Sequence, residues 1–198
     1  MKIVDLSSSD DLSISAHLLR NKVSNDGYYP DLVVGIPTGG ELVLKLMYSS
    51  DEIEMLLLKK QRATTRVKKK LKVAPFLLYL PTRYKDFLRK VEHYFHRASF
   101  AIKKARGRVV VDELKISEDK KNLIRKSEKI LVVDDAVDSG ITMRTVFNTV
   151  IGINPTCDIR TCCINKTFPN PEINPDYVLY DNVLVRYPWA MDAACKGE

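Results

Sequence analysis

The 198-residue sequence predicts an α/β protein with a doubly wound, mainly parallel sheet of about five strands. Three observations support this fold class. Short apolar runs alternate along the chain with segments of helical periodicity. The run at 31–35 passes through a glycine-rich turn, 35–40, into a helix, which is the βα unit of a parallel sheet. The run at 129–133 ends in two aspartates and also leads through a turn into a helix.

The first part of the chain predicts two helices and two strands. The first helix covers 10–23, with one apolar face formed by Leu12, Ala16, Leu19 and Val23. The strand at 31–35 is followed by a helix over 41–48, and the apolar run 53–58 is a strand candidate.

The second part of the chain repeats the alternation. The predicted strands are 108–111, 129–133, 158–164, 177–180 and 183–186. The predicted helices are 117–129 and 143–151. Since each strand of a parallel sheet needs a crossover connection, these helices fit between the central strands.

Composition indicates one globular domain over residues 1–198. The chain is 45% hydrophobic and 29% charged, and its eight glycines and nine prolines exclude a collagen-like or low-complexity protein. No apolar run approaches the roughly 20 residues that span a bilayer, and the polar start lacks the apolar core of a signal peptide. The four cysteines form no CxxC pair, so we expect free thiols, no zinc site and a cytoplasmic protein.

The positive charge is concentrated in residues 59–108. This block holds 17 Lys and Arg against two acids, a net charge of +15, whereas the rest of the chain is at −8. Any anionic partner is therefore expected there. The first part, 59–72, has little periodicity and predicts a loop.

The second part of the block predicts a basic amphipathic helix over 82–104. Its apolar face is formed by Tyr84, Phe87, Leu88, Val91, Tyr94, Phe95, Ala98, Ala101 and Ile102. Its other face carries Lys85, Arg89, Lys90, Arg97, Lys103 and Lys104. Such a helix could pack on the domain, on a second subunit or, with Tyr84, Phe87 and Phe95 inward, on an anionic membrane. His93 and His96 are interpreted as packing residues.

Acidic and small polar residues follow the strand at 129–133, where ligands of parallel sheets bind. Asp134, Asp135 and Asp138 precede 139–142, a Ser-Gly-Ile-Thr turn at a helix start. Backbone N–H groups and hydroxyls there would bind a phosphate, and the carboxylates would hold sugar hydroxyls or hydrated Mg²⁺. The pattern predicts a sugar phosphate ligand. A P-loop and a dinucleotide fold are disfavoured because neither glycine motif is present, and a receiver domain because too little chain follows Asp135.

Residues 130–142 resemble the PRPP-binding motif of type I phosphoribosyltransferases, with Ser139 in place of the usual Thr. The turn 35–40 is similar to that family's pyrophosphate loop. The segment 187–190, Tyr-Pro-Trp-Ala, resembles the closing segment of the xanthine-guanine branch. The resemblance implies one domain with an insertion at about 59–108 and a small C-terminal hood at about 165–190.

The resemblance also implies roles for individual residues. Asp134 and Asp135 would bind the ribose hydroxyls and Mg²⁺, and Asp138 would be the general base, so these three are the candidate catalytic residues. The 5-phosphate would lie against Ala136, Val137, Asp138, Ser139, Gly140, Ile141 and Thr142. Pyrophosphate and its Mg²⁺ would lie against Ile36, Pro37, Thr38, Gly39 and Gly40, covered by Arg62, Arg66 and Lys68 of the family's catalytic loop. Lys166 and Trp189 would contact the acceptor.

The sequence signals for the acceptor conflict. Lys166 stands where the purine branch has a lysine on the purine carbonyl, which favours a 6-oxopurine. However, Leu184 stands where that branch has the aromatic residue that stacks on the base, and a purine enzyme has no evident use for the helix at 82–104.

The primary hypothesis is therefore transfer of ribose 5-phosphate from PRPP to a sugar hydroxyl of a lipid-linked glycan in polysaccharide biosynthesis. The helix at 82–104 would then contact the inner face of a membrane. The alternative is a 6-oxopurine phosphoribosyltransferase of purine salvage. A PRPP-sensing nucleic-acid-binding regulator is a second alternative, disfavoured because the sequence has no helix-turn-helix segment or aromatic RNA platform. A homo-oligomer is expected in each case.

Overall fold

The computed structural model describes residues 1–49, 53–59, 82–109, 111 and 114–190. Most of the predicted loop at 59–72, including Arg62, Arg66 and Lys68, lies outside the described residues. The roles assigned to those three cations therefore stay predictions.

The described chain contains seven strands in two parallel sheets. The strands are β1 (Lys2–Asp5), β2 (Leu32–Gly35), β3 (Glu54–Leu57), β4 (Lys129–Val137), β5 (Asp158–Lys166), β6 (Tyr177–Asp181) and β7 (Val183–Arg186). The main sheet has the order β3-β2-β4-β5-β6, and β1 pairs with β7 in a separate two-stranded sheet. Every pairing is parallel. The predicted α/β class with a parallel sheet of about five strands is confirmed.

Five helices connect the described strands. They are α1 (Ser9–Asn25), α2 (Gly39–Met47), α3 (Thr82–Ala105), α4 (Glu118–Lys126) and α5 (Ile141–Ile153). Each matches a predicted helix to within three residues at either end. The strand expected at 108–111 is wrong for its described part, because residues 108, 109 and 111 have no strand pairing. The β1 strand was not anticipated, since only four partly exposed residues form it.

The main sheet is buried on both faces, which explains why its central strands are continuous apolar runs rather than alternating ones. Along β4, Leu131 and Val133 join the apolar cluster under α1 and α2. Ile130 and Val132 join the cluster under α4 and α5 on the other face. All four side chains are fully buried. The free thiols of Cys162 and Cys163 point one into each cluster, as the alternation of β5 requires.

The long basic helix α3 packs on the domain through its more polar face. The Arg89 guanidinium donates to the Val185 carbonyl at 2.8 Å, and Asp86 pairs with Arg186. Farther along, His93 contacts the Phe168 ring edge-on, with ring centroids 5.4 Å apart. Packing on the domain, one of the three arrangements left open by the sequence, is therefore present.

The apolar face of α3 points away from the domain, contrary to the usual inward orientation of an apolar stripe. Its large side chains are exposed, whereas Phe100, on the domain side, is buried. The reason lies in the surface beneath the helix, which offers a carbonyl, an arginine and one aromatic ring. These groups suit Arg89, Asp86 and His93 rather than a row of phenylalanines.

Tyr28 links two central strands through a buried hydroxyl. This hydroxyl lies 3.0 Å from the Ile130 carbonyl of β4 and 2.8 Å from the Asp158 carbonyl of β5. The Tyr28→Phe variant should lower the free energy of unfolding by about 1–2 kcal/mol, because buried carbonyls lose their donor. Urea denaturation measures this change. The neighbouring exposed Tyr29→Phe variant is the control, and equal stability of the two variants would contradict the assignment.

Candidate active site

A cleft of about 390 Å³ opens at the carboxyl ends of β2 and β4. Three segments line it: the loop 36–39 after β2; residues 134–140, which are the last residues of β4 and the turn that follows (the acidic turn), with Thr142 and Met143; and Trp189 near the C-terminus. The two turns meet because β2 and β4 are neighbours, with Gly35 opposite Val133. The structure thus brings together the two motifs that the sequence singled out about a hundred residues apart.

Glycines allow the loop after β2 to touch the acidic turn at the end of β4. A Cβ atom added at Gly39 would lie 2.3 Å from the Asp135 carboxylate, and one at Gly40 would lie 2.7 Å from the Val133 carbonyl oxygen. Both distances are far shorter than any real carbon contact. The glycines therefore start α2, with its free N–H groups, directly beside the carboxylates.

Asp134 and Asp135 form a buried acidic pair. Asp134 is 8% exposed, and its carboxylate accepts a hydrogen bond from the Asp135 backbone N–H at 2.9 Å. Burial raises the pKa of Asp134 well above its ordinary value, and the Asp135 charge raises it further. Burial also raises the pKa of Asp135. Two crowded carboxylates of this kind favour a compensating cation.

The donor set of the pair fits Mg²⁺, which prefers carboxylate oxygens and retains water or phosphate oxygens as its other ligands. Within the described part of the chain, no group of three or more His, Cys, Asp and Glu side chains could hold a metal by itself. Asp134 and Asp135 would therefore share the ion with oxygens of the substrate and of water. The metal role that the resemblance implied for this pair stays a prediction.

The turn before α5 is shaped for an anion. Gly140 is the N-cap of this 13-residue helix at φ +74°, a left-handed conformation that favours glycine. The turn is held from outside by the Glu172 backbone N–H, which donates to the Ser139 carbonyl at 2.8 Å. The first turn of α5 carries no acidic side chain, so nothing there offsets the positive end of the helix dipole. These N–H groups can bind a phosphate.

Asp138 stands exposed at the end of this cleft. The Thr167 hydroxyl donates a hydrogen bond to one of its carboxylate oxygens, and the Thr167 backbone N–H donates to the Val137 carbonyl at 3.0 Å. The residue after β5 therefore orients the carboxylate. His93 of α3 lies close enough that the Asp138 charge opposes the lowering of the His93 pKa by burial.

Trp189 presents an aromatic surface to the cleft. Its indole is 43% exposed and stacks on the Tyr187 ring, with centroids 4.7 Å apart and planes 6° from parallel. The buried Tyr187 hydroxyl lies 2.7 Å from the Asp135 carbonyl and 2.6 Å from the Asn165 side-chain oxygen. The stacked pair is thus anchored to the acidic turn itself.

Among the described residues, most of the predicted site residues line the cleft and three do not. Every residue assigned to the 5-phosphate lines the cleft except Ile141, which lines a neighbouring groove with Asp138 and Ser139. Gly40 lies behind the cleft wall, against Val133. The Lys166 ammonium points elsewhere, 3.2 Å from Asp181.

Thr167, Tyr187 and His93 were not predicted to support the site. Thr167 is the residue after the candidate Lys166, which was the one available signal for it. Tyr187 belongs to the closing segment that the sequence did identify, but its reach to Asp135 depends on how the chain returns to the sheet. Nothing local marks His93, whose place beside Asp138 depends on the docking of α3.

A methyl group at Gly39 tests the contact between the two turns. The Gly39→Ala variant should weaken PRPP binding by about tenfold or more, because its Cβ displaces the Asp135 carboxylate. Isothermal titration calorimetry with PRPP and Mg²⁺ measures the loss. Gly27→Ala is the control: it strains the backbone, at φ +72°, but its added Cβ has no neighbour within 4 Å. Unchanged PRPP affinity in the Gly39 variant would contradict the contact.

The acidic pair should destabilise the ligand-free fold at neutral pH. An aspartate with a raised pKa binds more protons in the folded than in the unfolded chain, so stability falls as the pH rises above the ordinary value of 3.8 and through the raised value. The Asp134→Asn variant should therefore melt at a higher temperature than the parent at pH 7, while losing Mg²⁺-dependent PRPP binding. The difference should shrink toward pH 3.8.

Thermal melts of ligand-free protein across this pH range measure the effect of Asp134. The exposed Asp11→Asn variant is the control and should change the melting temperature much less. A lower melting temperature for the Asp134 variant at neutral pH would contradict the inference that the buried charge destabilises the ligand-free fold.

The fold is similar to those of solved phosphoribosyltransferase structures. Purine phosphoribosyltransferase from Pyrococcus horikoshii Ot3 is 15% identical, with 96% of this chain and 95% of that chain covered and a TM-score of 0.55. Xanthine-guanine-hypoxanthine phosphoribosyltransferase from Helicobacter pylori is 14% identical, with coverage of 94% and 92% and a TM-score of 0.56. A hypothetical protein from Neisseria gonorrhoeae with bound ppGpp is 16% identical, with coverage of 98% and 93% and a TM-score of 0.53.

The sequence comparisons differ in what they find. Among curated proteins, none matches the chain. The family model described as "Phosphoribosyl transferase domain" matches residues 10–170, which include both turns of the cleft. With the five-stranded parallel sheet and the paired acidic and glycine-rich turns, this match confirms the resemblance: the chain belongs to the type I phosphoribosyltransferase family.

Proposed function

We propose that this phosphoribosyltransferase moves the 5-phosphoribosyl group of PRPP to a 6-oxopurine base and releases pyrophosphate. The observation that carries the proposal is the exposed indole of Trp189, held parallel to Tyr187 on the wall of the cleft that also contains Asp138. A flat aromatic surface favours a planar base by stacking, whereas Asp138 can accept a proton from a ring nitrogen.

The donor would lie along the floor of the cleft. The N–H groups at the start of α5 would bind the 5-phosphate, and those at the start of α2 the pyrophosphate. Between them, Asp134 and Asp135 would hold the ribose hydroxyls. When bound, Mg²⁺ would supply positive charge against the leaving pyrophosphate. The raised pKa values of the acidic pair favour this arrangement, because a cation restores both carboxylates to their charged form.

In the reaction, the bond between the ribose carbon and the pyrophosphate oxygen breaks and a bond from that carbon to the base nitrogen forms. Positive charge develops on the ribosyl carbon, where the carboxylates of this turn stabilise it. Asp138 takes the proton from the attacking nitrogen. Its hydrogen bond from Thr167 occupies one oxygen and orients the carboxylate, and its exposure leaves it accessible to the acceptor.

Trp189 supports a planar base even though Leu184 offers no aromatic ring. Leu184 lies in β7, is 8% exposed and pairs with Ile3 of β1, so it belongs to the packing between β7 and the N-terminus. Trp189 instead supplies an aromatic surface in the cleft. Two relatives of similar fold, from P. horikoshii and H. pylori, are purine phosphoribosyltransferases by name, which supports the same acceptor class.

Lys166 would contact the purine carbonyl only after its side chain moves. Its ammonium pairs with Asp181 at 3.2 Å and lies 3.4 Å from the Asn174 side-chain oxygen. To reach a purine carbonyl, it would have to leave Asn174 and turn toward the cleft from the end of β5.

Product formation distinguishes the acceptors directly. We expect ³¹P NMR of the protein with PRPP and Mg²⁺ to show pyrophosphate release only when xanthine, guanine or hypoxanthine is added, together with a matching nucleotide. Release that needs no base would indicate hydrolysis by water and would overturn the purine proposal. Bound PRPP that no base consumes would also overturn it and would favour a sugar hydroxyl acceptor.

Two variants separate stacking from proton transfer. Trp189→Ala should raise the KM for the base by about 10- to 100-fold, since base–aromatic stacking contributes roughly 1–3 kcal/mol, and should leave the affinity for PRPP unchanged. Asp138→Asn should lower kcat by about 10²- to 10⁴-fold through loss of the general base. Steady-state kinetics measure both, with the exposed Tyr29→Ala variant as control. Equal KM values in the Trp189 variant and the parent would contradict the stacking role.

A further inference from the structure

The helix α3 (Thr82–Ala105) has an outer apolar face that no described part of the domain covers. On this face the exposed fractions are 61% for Tyr84, 64% for Phe87, 44% for Leu88, 71% for Tyr94, 68% for Phe95 and 53% for Ile102. These residues recur at spacings of three, four and seven, so they form one stripe along the 24-residue helix. A row of exposed, large apolar side chains along one helix face is typical of an interaction surface.

The inner face of α3 is already occupied, which fixes the orientation of the outer stripe. Arg89 donates to the Val185 carbonyl, Phe100 packs on Phe168 with ring centroids 5.6 Å apart, and Lys104 pairs with Glu172 at 3.0 Å. These contacts span most of the helix length. The stripe therefore cannot turn inward without breaking them.

The stripe is bordered by positive charge. Lys90 and Arg97 are exposed and seven residues apart, so they lie one above the other along one edge of the stripe. Exposed Lys103, Arg106 and Arg108 extend the charge past the helix end. Residues 82–108 contain nine Lys and Arg against two acids, a net charge of +7. The surface that covers this face must therefore be apolar at its centre and anionic around it.

We propose that the outer face of α3 binds the surface of an anionic lipid bilayer, with the helix lying in the plane of the interface. A helix with aromatic and aliphatic side chains on one side and lysine and arginine at the border has the composition of interfacial helices. Among the described residues, no helix is long and apolar enough to cross a membrane.

A second copy of the chain is a poorer occupant of this face. A symmetric dimer would bring the same surface of both molecules together and so place exposed Lys90 and Arg97 of one copy near the like charges of the other. An anionic bilayer, in contrast, provides acyl chains for the stripe and phosphate groups for Lys90 and Arg97 in one continuous plane.

Vesicle co-sedimentation of the full chain tests this proposal. We expect the protein to sediment with phosphatidylcholine vesicles that contain phosphatidylglycerol, to bind less at high salt, and to remain in solution with pure phosphatidylcholine. The Phe87→Ser/Tyr94→Ser variant should bind roughly tenfold more weakly or worse, because two aromatic side chains lose their burial. The Lys90→Gln/Arg97→Gln variant should lose affinity mainly at low salt.

Matched controls keep the result specific. Ile14 and Leu18 are exposed apolar residues on α1, at 58% and 48%, so Ile14→Ser/Leu18→Ser removes similar surface elsewhere. Unchanged PRPP affinity in every variant shows that the fold is intact. Vesicle binding is then measured separately from the choice of acceptor, so either proposal can fail without the other. No sedimentation with anionic vesicles, or equal loss in the α1 variant, would overturn the proposal. A dimer in sedimentation velocity that the Phe87→Ser/Tyr94→Ser variant dissociates, without vesicle binding, would assign the face to a second copy.

Discussion

The contact between the loop after β2 and the acidic turn at the end of β4 is the constraint on which the site depends. The Ile36 backbone N–H donates to the Val133 carbonyl at 3.0 Å, which continues the strand pairing one residue beyond β2. Gly39 and Gly40 then pass so close to Asp135 and Val133 that only a hydrogen atom fits in place of a side chain. Free N–H donors of a helix start and carboxylates thus lie side by side, which suits a ligand with phosphates, hydroxyls and a metal ion.

The same contact also buries carboxylate charge, which destabilises the ligand-free protein. Asp134 is buried beneath Gly40 and beside Asp135, so its charged form has little water to solvate it. A well-packed domain tolerates this cost because both faces of β4 contribute to large apolar clusters. The strand β4 therefore both stabilises the fold and holds the two acids where a cation and the hydroxyls of a ribose would bind them.

The C-terminal segment contacts both the helix α3 and this site through consecutive residues. Arg186 pairs with Asp5 of β1 and with Asp86 of α3, so one guanidinium joins β7 to both. The next residue, Tyr187, reaches the Asp135 carbonyl and supports Trp189. The same short segment therefore holds α3 against the domain and the indole in the cleft.

The sequence by itself determined the fold class and most of the cleft, because both are encoded locally. Apolar runs at 31–35 and 129–133 predict central strands, and the residues that follow each strand must lie at its carboxyl end. In a parallel sheet those ends share one edge, so the acids and the glycine loop were predictable on the same edge, whereas the strand order, with β2 beside β4, makes them neighbours.

The tertiary structure decided the features that depend on distant partners. The periodicity of α3 identified its apolar stripe but not its direction, which is set by Arg89, Asp86 and His93 meeting groups from the far end of the chain. Likewise, the buried place of Leu184 follows from the pairing of β7 with β1, an N-terminal strand too short to be recognised by pattern. Local spacing reports which side chains share a face, whereas only long-range packing determines what that face meets.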